Sequence, residues 1–128
     1  MRCSEIFEGA IKLLAEVENG YDISDYTERF PYIIAMFCSE AEEVDRKYRI
    51  ANDIEAMSYT FTPLTMSSEF PLCDALAASG IYYTAAMLVS DENMEASDRF
   101  FDKYCSSLSS IEAGLPGRIE QIKNVYFD

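Results

Sequence analysis

Apolar residues recur along the chain at helical spacing in four blocks, each closed by glycine, proline or an acidic turn. In the first block Phe7, Ile11 and Leu14 form a stripe, widened by Ile6, Ala10, Leu13 and Val17. It predicts a helix from about Ser4 to Glu18, stopped by Asn19-Gly20, because glycine tolerates the left-handed cap conformation. The second block carries Tyr26, Phe30, Ile33 with Ile34, Phe37, Ala41, Val44 and Tyr48, close to a heptad seam. It predicts a helix over 24–49 capped by Ser24. Pro31 lies inside it, so either a kink or a short preceding turn is expected. The acids Glu40, Glu42, Glu43 and Asp45 fall mainly on the other side and read as a solvated face.

The period breaks over 50–71, where SYTFTPLTM (58–66) is β-branched and aromatic with Pro63 in the middle. That stretch predicts an extended loop or a poor edge strand. A third helix follows from about Leu72 to Ser90, with Leu72, Leu76, Tyr83 and Met87 on one face and mostly alanines on the others. A helix apolar or small all round is covered on several sides. It is therefore the centre of a bundle, or partly covered by another subunit. The fourth helix starts at the cap Asn93 and runs to about Ala113. Its stripe is Met94, Ser97, Phe101, Tyr104, Leu108 and Ile111, with Phe100 and Cys105 beside it, and Gly114-Leu115-Pro116 stops it. The remaining GRIEQIKNVYFD fits neither helical nor strand period well and reads as an extended arm anchored by Ile119, Ile122, Val125 and Tyr126. The expected fold class is all-α, a small four-helix bundle over 1–117 with an irregular loop between the second and third helices. An extended arm over 118–128 completes it.

Composition narrows the function. With 23 acidic against 10 basic residues the net charge is −13, yet 49% of residues are hydrophobic, too many for a disordered chain. The charge is even: 13 acids and 6 bases in residues 1–60, 10 acids and 4 bases in 61–128. Such a surface repels phosphate and anionic lipid, which argues against affinity for a nucleic-acid backbone or a membrane surface. The 16 uncharged residues from Ala75 to Ser90 fall short of the ~20 that a membrane span needs. Glu5 and Glu8 interrupt any leader pattern at the start.

Chemistry finds little footing. Cys3, Cys38, Cys73 and Cys105 are widely spaced, with no CxxC pair and no histidine, so no zinc site is expected. Four thiols in a reducing cytoplasm is the plain reading. The near-even spacing hints at a repeat, but the flanking apolar patterns do not superpose. Without histidine there is no ordinary nucleophilic triad and no Glu-x-x-His metal pair. No Walker-type loop occurs either. Asp91, Asn93 and Glu95 resemble the start of a calcium loop, but Ala96 stands where its glycine belongs, so a helix cap explains them better. Neither enzyme activity nor a cofactor is expected.

Two stretches carry a resemblance. EFPLCDALAASGIYYTAAMLVSDENMEASDRFFDKY (69–104) resembles a segment of the small head–tail connector proteins of long-tailed double-stranded DNA phages and prophages. There a Leu-Pro-like turn leads into an alanine-rich helix, then an acidic turn, then a helix with an aromatic residue and a terminal tyrosine. IEQIKNVYFD (119–128) is similar to the Ile-x-Asp-Val-Tyr ending of such proteins, with Asn124 in place of the Asp. EIFEGAIKLLAE (5–16) and DYTERFPYIIAMF (25–37) fit the layout more loosely. The resemblance implies a helical bundle whose copies form a homo-oligomeric ring beneath the portal protein. The ring joins capsid to tail and stopper proteins and leaves a channel for DNA, in the cytoplasm during assembly and then in the virion. Its contacts, with other subunits or with the portal, would be made by the arm residues Ile119, Ile122, Val125 and Tyr126 and the outward side of the third or fourth helix. An acidic channel wall would let DNA slide without sticking; equally, the charge could serve solubility alone. Two alternatives come from other classes. One is a regulatory inhibitor whose carboxylates mimic DNA phosphates, which needs its acids along one face. The other is a generic helical interaction module.

Overall fold

The computed structural model describes residues 1–15 and 22–115. Within them four α-helices follow one another: α1 (Cys3–Leu14), α2 (Ile23–Ala51), α3 (Ala77–Val89) and α4 (Met94–Ala113), with a 3-10 turn over Asp74–Leu76 before α3. No strand occurs among the described residues, and none of their helices is long and apolar enough to cross a membrane. The all-α bundle and the irregular 52–73 connection are as the pattern predicts. The Asn19-Gly20 stop and the arm over 118–128 lie outside the described residues.

α3 is the central helix. It packs against α1, α2 and α4 of the same chain, and Tyr83, Thr84, Ala85, Ala86, Leu88 and Val89 are all buried. α3 is thus the centre of the bundle, as one of the two expectations for this helix has it. Small residues permit the approach: a Cβ on Gly80 would sit 3.0 Å from Phe37 Cε2. Hydroxyls cross-link α3 to α4, with Ser97 Oγ donating to Ala86 O at 2.8 Å and Ser79 Oγ paired with Ser107 Oγ at 2.7 Å. Arg29 of α2 caps the end of α3, donating from Nη2 to Leu88 O at 2.8 Å; those last carbonyls have no intrahelical partner and carry the negative end of the helix dipole.

α2 starts one residue earlier than the pattern predicts, because the Asp22 carboxylate rather than Ser24 accepts the first free amides, Ser24 N at 3.0 Å and Asp25 N at 3.3 Å. The helix runs through Pro31 without a break. α4 is capped by Asn93 as expected, its side chain accepting Ala96 N at 3.0 Å. Its buried stripe, however, is Ala96, Ser97, Phe100 and Tyr104. Phe100 takes the inward position, and Phe101, one residue or about 100° round the helix, is 39% exposed. Met94 is exposed as well.

Asp45 corrects the expectation of a solvated acidic face. It is buried, accepting Arg49 Nε at 2.8 Å and the Cys73 amide at 2.8 Å. Arg49 in turn donates to Glu55 O at 3.1 Å and Pro71 O at 3.2 Å. An irregular segment has no ladder to satisfy its backbone, and this ion pair supplies the missing partners. The start of the chain is pinned likewise: Cys3 N donates to Ser68 O, Ser4 N to Met66 O and Phe70 N to Met1 O. The loop thereby satisfies two of the free amides at the head of α1.

Thr84 Oγ1 is fully buried and has no hydrogen-bond partner among the described residues. Burying an unpaired hydroxyl costs about 1–3 kcal/mol, and valine has the same shape without it. Thr84→Val is expected to raise stability by about 1 kcal/mol in urea melts; a loss of stability would mean that the hydroxyl is satisfied after all.

Candidate interaction surface

The polar groups that the fold draws together serve packing. Glu40 of α2 accepts the Tyr83 hydroxyl on Oε2 at 2.9 Å and the Tyr104 hydroxyl on Oε1 at 3.2 Å, joining three helices through one carboxylate. The two phenols and Phe37 form a ring cluster, with centroids 5.0 Å (Tyr83–Tyr104), 5.7 Å (Phe37–Tyr83) and 6.0 Å (Phe37–Tyr104) apart. Burial first, and the adjacent Glu40 second, push both phenols well above their ordinary range. Cys38 is pushed up to about 12 by burial, then by Cys3 and Asp45. So protonated a thiol is a poor nucleophile. Among the described residues no group of three or more Cys, Asp or Glu could hold a metal ion. A shallow open dimple is lined by Tyr82, Asp102, Lys103 and Ser106, and it is too open to enclose a ligand.

These shifts set an alkaline limit. The unfolded chain loses its thiol proton near pH 9 and its phenol protons near pH 10, while the folded chain holds both higher. The associated stability is fully present below those unfolded values and falls as pH rises through the window above them. The urea midpoint is expected to be level up to about pH 8.5 and then to decline steadily towards pH 11. A midpoint unchanged at pH 10.5 would contradict it.

The distinctive surface lies on α2, away from its core face. The segment 59–64 runs antiparallel along α2: Tyr59 N donates to Glu42 Oε2 at 2.7 Å, and Leu64 N to Pro31 O at 3.2 Å. Eleven helical residues cover about 16 Å and five extended ones about the same, so these two ties set Phe61 roughly level with the middle of α2. On the other flank α4 runs parallel to α2, tied by Glu40–Tyr104 and Lys47–Glu112. Those ties join residues 64 and 65 apart, which places Phe101 level with Met36. Phe101 also leans on Tyr104, ring centroids 5.4 Å apart.

By this register four exposed large apolar residues fall within about two turns of one another on three neighbouring elements, here called the apolar belt: Phe61 (52% exposed), Tyr32 (58%), Met36 (47%) and Phe101 (39%). Glu28, Glu40 and Asp98, which form no ion pair among the described residues, lie around it by register. Large apolar side chains left exposed on so acidic a bundle make this the candidate contact surface.

The anchors singled out from the sequence, Ile119, Ile122, Val125 and Tyr126, lie outside the described residues, and the structure brings none of them to a site. The outward side of α4, also expected to make contacts, contributes Phe101 to the belt. Sequence reasoning missed Tyr32 and Met36, although their i, i+4 spacing on the polar side of α2 was a readable signal. Comparison with family models, curated proteins and solved structures returns no match.

Proposed function

We propose that the chain is a structural, non-enzymatic assembly protein of a long-tailed double-stranded DNA phage or prophage. Its copies form a ring that connects the portal and capsid to tail and stopper proteins. The observation that carries the association half of this reading is the exposed apolar belt of Tyr32, Met36, Phe61 and Phe101. The phage half rests on the resemblance of residues 69–104, a stretch that runs from the end of the loop through α3, the acidic turn and α4 to Tyr104. A ring needs a head-to-tail interface between two different patches of each subunit; the belt is one, and the arm over 118–128 is the other. The titratable clusters are consistent with a structural role, since Glu40 and Asp45 each tie packed elements together. The mimic of DNA phosphates loses ground, because among the described residues exposed acids are spread over α1, α2 and α4, from Glu8 through Glu28 to Asp98.

Co-assembly with the portal of the same phage tests the reading, comparing the intact chain with one truncated after Pro116. The intact chain is expected to co-sediment with the portal, and the truncated chain to bind weakly or not at all. Failure of the intact chain to bind would overturn the connector role, and equal binding by both would remove the arm from it.

A further inference from the structure

The belt and the segment beyond α4 are complementary in charge and in reach. Residues 116–128 contain two acids, Glu120 and Asp128, and two bases, Arg118 and Lys123, so the segment is neutral in its side chains. The other 115 residues hold 21 acids and 8 bases, which is the entire net charge of −13. When two copies approach, that charge repels everywhere except where neutral surfaces meet. The apolar middle of the belt, with the uncharged run from Ala56 to Ser68 beside it, is such a surface. That middle suits Ile119, Ile122, Val125 and Tyr126, and the carboxylates of Glu28, Glu40 and Asp98 around it suit Arg118 and Lys123.

Reach is sufficient. The Lys47–Glu112 pair at 2.8 Å fixes the end of α4 beside the last turns of α2. From there the belt lies about 20 Å back along the helix. Thirteen residues can span about 43–47 Å, more than twice that distance. The segment 59–64 also has main-chain groups to offer: among the described residues, the backbone amides of Thr60, Phe61 and Thr62 make no hydrogen bond, and in an extended chain alternate ones face the same side. An extended peptide laid beside them gains main-chain bonds as well as side-chain burial.

We infer that the loop–α2–α4 belt is the docking site for residues 117–128 of a neighbouring copy of this chain. The choice of a neighbouring copy over the same chain rests on the connector reading; the complementarity of belt and segment does not. The contact is heterologous, segment of one copy onto belt of the next, and repeats around a closed ring.

A fluorescently labelled peptide of residues 117–128 tests it, titrated against the chain truncated after Pro116 and against the intact chain, with anisotropy as the readout. Saturable binding to both is expected, weakening as salt is added because Arg118 and Lys123 meet carboxylates. Met36→Glu is expected to weaken binding about tenfold. Tyr32→Ser, which leaves the helix surface polar but uncharged, is expected to act in the same direction. Ile23→Glu, at the far end of α2, is expected to change nothing. Far-UV circular dichroism and melting of each variant establish that it is folded. No binding to the truncated chain would overturn the inference, and binding indifferent to both belt variants would move the site elsewhere. Binding to the truncated but not the intact monomeric chain would show that the segment occupies its own belt, which overturns the neighbouring copy. A portal that fails to co-assemble while the peptide binds would sink the connector reading, and with it the choice of a neighbouring copy, but would leave the contact of segment and belt standing.

Discussion

Asp45→Ala is expected to cost about 3–5 kcal/mol, because it breaks a buried ion pair and strands its partner. The Asp45 side chain is 2% exposed and that of Arg49 13%. Removing the carboxylate leaves a half-buried guanidinium without its counter-charge and the Cys73 amide without its acceptor. The loop 52–73 then loses the Asp45–Cys73 tie to α2 at the point where the chain turns into α3. The loss is a large share of the roughly 5–15 kcal/mol that holds a domain of this kind together. Replacing the pair by Asp45→Leu with Arg49→Met is expected to recover only part of it. Apolar side chains can replace the ions, but Cys73 N and Pro71 O would still lack partners. Urea melts of the three proteins decide the matter. A cost below about 1 kcal/mol for Asp45→Ala would mean that the pair behaves like a surface one.

Phe37→Ala is expected to cost about 3–5 kcal/mol through lost burial plus a cavity. Phe37 is fully buried at the junction of α2, α3 and α4, stacked 6.2 Å from Phe70 and set against Tyr83 and Tyr104. Collapse into the space is restricted, because both tyrosines are held by their hydroxyl bonds to Glu40. Phe101→Ala makes the internal comparison: at 39% exposure its ring has less burial to lose, and a cost of about 1 kcal/mol is expected. Equal costs at the two positions would contradict a register of α4 that turns Phe100 inward and Phe101 outward.

Periodicity carries far where burial is one-sided and fails where two adjacent positions compete. The stripes of α1 and α2, the cap at Asn93 and the all-round apolar character of α3 were legible, since each follows from local spacing or cap chemistry. The choice between Phe100 and Phe101 was not. Both are apolar neighbours, and only the packing of α4 against α3 decides which turns inward. Asp45 was hidden for a related reason. Its position beside Val44 is on the margin of the core face, and the burial depends on a loop residue, Cys73, 28 positions away. The belt was half legible: Tyr32 and Met36 stand out on the polar side of α2, but the alignment of Phe61 and Phe101 with them needs the antiparallel loop and the parallel α2–α4 pair.

Hydrogen exchange of the chain, alone and with the portal protein that the proposed connector role pairs it with, tests the central claim most directly. The amides of Thr60, Phe61 and Thr62 make no hydrogen bond in the isolated molecule among the described residues, so they exchange quickly when free. Assembly on the portal is expected to slow exchange across residues 57–64 and to leave the buried helix α3 unchanged. Binding to the portal with exchange over 57–64 unaltered would contradict the claim, because the working face of the bundle would then lie elsewhere.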